Sequence, residues 1–88
     1  MRVKYFIWDR SGWNIEHIAS HDVLPEECES VLDGKYRLFR GRGDSHIVLG
    51  QTSEARYLLI AIKYLGSGAA RVITARDMTK KEIRRYKR

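Results

Sequence analysis

Hydrophobic positions along this 88-residue chain change period three times. Val3 to Trp8 is rich in β-branched and aromatic residues and stops at Asp9, which predicts a strand. From Ser11 to about His21 the period lengthens to that of a helix. Ile15, Ile18 and Ala19 form its apolar side, and Trp13, His17 and His21 fall on a neighbouring face. Pro25 suits the first position of a second helix running to about Leu32, with Gly34 as its stop. Leu24 is a poor N-cap for it, because its side chain has no acceptor.

After Gly34 the strand pattern returns. Lys35–Arg40, His46–Gly50, Tyr57–Leu65 and Ala70–Arg76 are separated by Gly41-Arg42-Gly43-Asp44, Gln51-Thr52-Ser53-Glu54 and Gly66-Ser67-Gly68. Connections this short make hairpins, so the four runs should form an antiparallel meander. Tyr57–Leu65, apolar on both faces, is its expected central strand. A last helix follows: Thr79-Lys80-Lys81-Glu82 matches a capping box, and Met78 and Ile83 are spaced as a hydrophobic staple. Thr79, Ile83 and Tyr86 then make a narrow docking stripe. The order β-α-α-β-β-β-β-α predicts an α+β fold. It would have an antiparallel sheet of about five strands, two N-terminal helices and one C-terminal helix, with helices covering one face.

With 43% hydrophobic and 32% charged residues, the chain has the composition of an ordered domain, expected to span 1–88 as a single unit. The longest apolar run, Tyr57 to Ile62, is too short to cross a bilayer, and the N-terminus lacks a signal-peptide core. Cys28 is the only cysteine, so no internal disulfide can form; a reducing cytoplasm and a buried thiol are expected. Charge sharpens the picture further. From Arg76 onward, seven Lys or Arg face only Asp77 and Glu82, a net +5 out of +6 for the whole chain. Ser11 to Gly34 holds six acids and no Lys or Arg. A chain polarised in this way offers a polyanion one side only.

His17 and His21 lie at i, i+4, a spacing that suits a shared metal, but no third ligand is evident and no metal or cofactor is expected. Packing, hydrogen bonding and proton transfer or phosphate contact all remain open for them. Arg42-Gly43-Asp44 reads as a turn. Carboxylates do not cluster with the cations, so RNA cleavage by this chain would proceed without metal, with Arg and Lys stabilising charge on the phosphate. Arg71 and Arg76 are five residues apart and face opposite sides of a regular strand; only a bulge would bring both to one site. Arg76, at the strand end beside the basic helix, is the stronger candidate. Trp8 either packs at the rim of the core or stacks on a base.

Val72 to Tyr86, V-I-T-A-R-D-M-T-K-K-E-I-R-R-Y, resembles the C-terminal signature of BrnT-type toxins, I-[ST]-A-R followed by T-[KR]-x-E-R-R-x-Y. Phe6-Ile7-Trp8-Asp9, Asn14-Ile15-Glu16-His17-Ile18 with His21, Pro25-Glu26-Glu27, Val31-Leu32, His46 to Thr52 and Arg56-Tyr57-Leu58-Leu59 follow the same family rhythm. Asp22 departs from the Gly that many members carry after the histidine, and Leu24 replaces a capping Ser or Thr. The resemblance implies a RelE-like fold, a toxin that cleaves mRNA or otherwise blocks translation, and an antitoxin encoded beside it. Family residues map onto Trp8, Arg76, Arg71, Glu27 and Lys80.

The expected function is therefore a metal-independent endoribonuclease of a type II toxin–antitoxin pair. Arg76 and Arg71 would hold phosphate or developing charge, and His17 or His21 would transfer a proton. Lys80 and Arg84 would guide the RNA backbone while Trp8 stacks on a base. The implied partners are mRNA, free or on the ribosome, and a ribbon-helix-helix antitoxin; no membrane is involved. The alternatives are a non-catalytic basic nucleic-acid-binding module and a protein-interaction domain that docks an acidic partner.

Overall fold

Eight elements follow one another in a computed structural model that describes residues 1–88: β1 (Tyr5–Ile7), α1 (Trp13–Ala19), α2 (Pro25–Asp33), β2 (Tyr36–Arg40), β3 (Ser45–Gln51), β4 (Tyr57–Gly66), β5 (Ala69–Asp77) and α3 (Lys80–Lys87). Their order is the expected one. The strands form one sheet in the order β1-β5-β4-β3-β2. From β2 to β5 it is the antiparallel meander that short connections demand, with β4 at the centre. Ser67 and Gly68 close the last hairpin, both at positive φ, as a two-residue turn with the strands' own twist requires.

Two expectations about the sheet and its cover need correction. β1 joins β5 in parallel, Phe6 opposite Ala70, so the sheet is mixed and not wholly antiparallel. No hairpin links these strands, so turn geometry leaves their relative direction open. The helices also occupy both faces. α1, α2 and the turn between them cover one face through Ile18, Val23, Cys28 and Val31, packed on Phe6, Val48, Leu58, Ile60, Ile62, Ala70, Val72 and Ala75. α3 lies on the other, where Ile83 and Tyr86 pack with Met78 against Leu49 and Leu59. Alternation decides this: β4 sends Leu58 and Ile60 one way and Leu59 the other, and both faces are apolar enough to need cover.

α1 also differs from its expected apolar side. Ile18 is fully buried, but Ile15 and Ala19 are exposed, and the other buried position is Asn14. Its amide donates to the carbonyls of Ile7 and Val72, both at 3.3 Å, and its Oδ1 accepts from Asp9 N at 3.1 Å. A buried amide satisfied on three sides pins the helix start to the β1 and β5 backbones. α2 approaches the sheet at Gly50, where any Cβ would overlap the Val31 side chain. No helix is long and apolar enough to cross a membrane.

A candidate phosphate-binding face on β5

β5 is bulged. Thr74 pairs with Ala61 but Val72 pairs with Ile62, leaving Ile73 as an extra residue. Ala70, Val72 and Ala75 consequently all point into the core under α1 and α2. Arg71 and Arg76 both point to the opposite face, the one shared with α3. The bulge anticipated as the condition for a joint site is present.

Arg76 sits where β5 hands over to α3. Its Nη1 and Nη2 donate to Glu82 Oε1 and Oε2 at 2.8 and 3.0 Å, and Nη1 also reaches the Asp77 carbonyl at 3.0 Å. Glu82 serves the helix as well. It accepts from Thr79 N at 2.8 Å while Thr79 Oγ1 accepts from Glu82 N at 3.2 Å, the reciprocal capping box. The Arg76 fork, followed by the Thr79 amide, holds the Glu82 carboxyl down at about 2. Arg76 is thus fixed by a carboxylate already committed to the helix cap, with Nε free of any protein partner. Lys80 and Arg84 are exposed on α3 just beyond.

Behind this junction, on the α2 side, stands Arg56, which sequence reasoning did not single out. Its Nε donates to Asp77 Oδ1 at 2.7 Å, and its Nη1 to the Asp22 carbonyl at 2.7 Å and to both Glu27 oxygens at 3.1 Å. These bonds hold the guanidinium more firmly protonated and keep the Asp77 carboxyl below its ordinary range. Asp77 therefore joins the two arginines, through its carboxylate to Arg56 and its carbonyl to Arg76. Glu27 also accepts from Leu24 N at 3.0 Å, the return half of a capping box whose forward half a leucine cannot make. No local pattern marks Arg56: its partners are 21 to 34 residues away.

Arg71 lies nearer the other end of β5. Nε and Nη2 donate to Asp9 at 3.0 and 2.8 Å, which draws the Asp9 carboxyl below its usual range and raises the guanidinium. Its guanidinium carbon is 6.0 Å from the centre of the Trp13 ring. Trp13 stacks on His17 at 5.3 Å and 12°, and His17 meets His21 edge-on at 5.9 Å. Three of the anticipated site residues, Arg71, His17 and His21, thus form one group with Trp13, while Arg76 stands apart with Glu82; Lys80 and Arg84 are exposed on α3, two residues to either side of Glu82 and so on the opposite side of that helix. The two histidines have no third carboxylate, thiol or imidazole placed to complete a metal site.

Trp8 belongs to neither group. Alternation along β1 turns it to the same side as Phe6, which it meets edge-on at 6.3 Å, and its Nε1 donates to Glu29 on α2 at 3.2 Å. It packs against the main core as a rim aromatic.

No family model and no curated protein matches this chain. Among solved structures the fold is similar to that of the Brucella abortus ribonuclease toxin BrnT, at a TM-score of 0.66 and 23% sequence identity. The superposition covers 91% of this chain and 99% of the other. The chain therefore has the fold of a BrnT-type toxin.

Proposed function

We propose that this protein is a metal-independent endoribonuclease toxin of a type II toxin–antitoxin pair, acting in the cytoplasm through the single domain 1–88. The observation that carries this reading is the bulge at Ile73, which turns Arg71 and Arg76 to one face of a fold that BrnT shares. Arginines forked against carboxylates are already oriented for a tetrahedral anion, and each keeps unshared N–H donors.

Without a metal, the nucleophile nearest each phosphate is the RNA's own 2′-hydroxyl. It loses its proton to a base as its oxygen bonds to phosphorus. The bond from phosphorus to O5′ then breaks and the leaving oxygen takes up a proton, giving a 2′,3′-cyclic phosphate and a 5′-hydroxyl. Arg76 would stabilise the negative charge that grows on the phosphoryl oxygens, with donors fixed before the reaction. Lys80 and Arg84 would steer the backbone, and Arg71 would bind further along the strand. Glu82, ionised down to about pH 2, is too weak a base for the proton transfer. His17 and His21 stand with Arg71; they transfer the proton only if the scissile phosphate lies at that end.

The partners are mRNA, free or on the ribosome, and an antitoxin, for which a ribbon-helix-helix protein is the proposed type. The test is incubation of purified protein with RNA in chelator, with end-group analysis of the products. Cyclic phosphate termini support the reading. Salt-sensitive RNA binding with no scission would instead make the protein a non-catalytic binding module.

A further inference from the structure

Trp13 is not packed into either hydrophobic cluster, and about half of its surface is exposed. Its position is nonetheless fixed. Buried Asn14, the next residue, ties the helix start to two strands, and His17 lies flat against the indole at 5.3 Å. Beside it, Asp9, Ser11, Arg71 and Ile73 line an open recess of about 450 Å³. Asp9 occupies Nε and Nη2 of Arg71, which leaves both Nη1 hydrogens without a protein partner. A half-exposed indole with a guanidinium that keeps free donors lying over it, 6.0 Å from the ring centre, suits a flat ring that carries hydrogen-bond acceptors.

Position in the fold narrows the ligand. Arg71 and Arg76 share a face of β5, roughly 15 Å apart along the strand. Between them lie Ile73 and Thr74, on the part of the face beyond the Leu49–Leu59 patch that α3 covers. A chain with a phosphate at Arg76 can therefore run along β5 and reach Trp13. Bases within a duplex are stacked and would not be available to the indole, so the chain must be single-stranded. Base–aromatic stacking tolerates any base, because every base has a π-face.

We infer that Trp13, stacked on His17 and with Arg71 over its ring, forms with them a stacking subsite for an unpaired nucleobase of single-stranded RNA. This rests on the ribonuclease reading of the β5 face.

The experiment measures binding of a short, mixed-sequence 2′-O-methyl RNA, which the protein cannot cleave, to wild type, Trp13→Ala and Trp13→Tyr. Cleavage of the matching unmodified RNA is followed in parallel. Wild-type tryptophan fluorescence should be quenched on binding. Trp13→Ala should bind about five- to a hundredfold more weakly, the range for loss of one base–aromatic stack, and Trp13→Tyr should recover most of the affinity. Thermal melting checks that both variants fold, as an exposed site predicts. If Trp13→Ala cleaves and binds RNA as wild type does, the subsite is overturned and the ribonuclease reading stands. If it loses only the ability to co-purify with a neighbouring acidic protein, Trp13 is a protein contact and the subsite is likewise overturned. If wild type neither binds nor cleaves RNA, both fail together.

Discussion

Glu82 faces Arg76 in a two-bonded fork, at 2.8 and 3.0 Å, while the same carboxylate closes the N-terminus of α3. One side chain thus couples the strand that presents the arginine to the helix that follows. Glu82→Gln should cost about 1–2 kcal/mol in stability, from a lost cap bond and a weakened ion pair partly screened by water. Denaturant titration measures this, and amide exchange should show the loss concentrated in α3.

The same pair fixes a pH dependence. The Glu82 carboxyl falls from an ordinary 4.5 to about 2 on folding, so the unfolded chain binds its proton more readily. Its contribution is complete above about pH 4.5 and is lost as pH falls toward 2. In Glu82→Gln that part of the acid limb should be missing, so stability should vary less between these limits than in wild type.

Arg56 joins α2, the loop before it and the end of β5 in one network. Arg56→Ala would leave Glu27 and Asp77 without their shared cation, and should destabilise the protein by about 1–2 kcal/mol, since water partly screens both pairs. Lysine, with one ammonium in place of a planar fork, should recover less than half. Chemical denaturation of both variants checks this.

Gly50→Ala would drive a methyl into Val31 and lift α2 from β3. The expected cost is about 1–3 kcal/mol. The double variant with Val31→Ala should recover part of it, which a melting series would show.

Cys28 is fully buried, and burial pushes its thiol up to about 12. Native protein at pH 8 should resist alkylation by iodoacetamide and react only after unfolding, as mass spectrometry can follow.

What could be read from the chain was what short-range chemistry determines. The Thr79–Glu82 box and the Met78–Ile83 staple depend on residues within five positions, and both are present. The meander follows from three short connections. The bulge at Ile73 has no marker such as Gly or Pro; it arises from how two whole strands register, and it decides where Arg71 points. Asn14 and Arg56 were similarly opaque, since each finds its meaning in partners far along the chain. Trp13, His17 and His21 were legible as one helix face, but their meeting with Arg71 depends on the path of β5.

The central claim is that Arg76 stabilises charge on a phosphate undergoing cleavage. It is tested most directly by comparing wild type and Arg76→Ala on mRNA, free and ribosome-bound, in EDTA. The account predicts scission by wild type and a loss of about a hundredfold or more in the variant, the scale for removing one preorganised donor. Intact RNA with folded wild type under both conditions, or undiminished cleavage by Arg76→Ala, would contradict it.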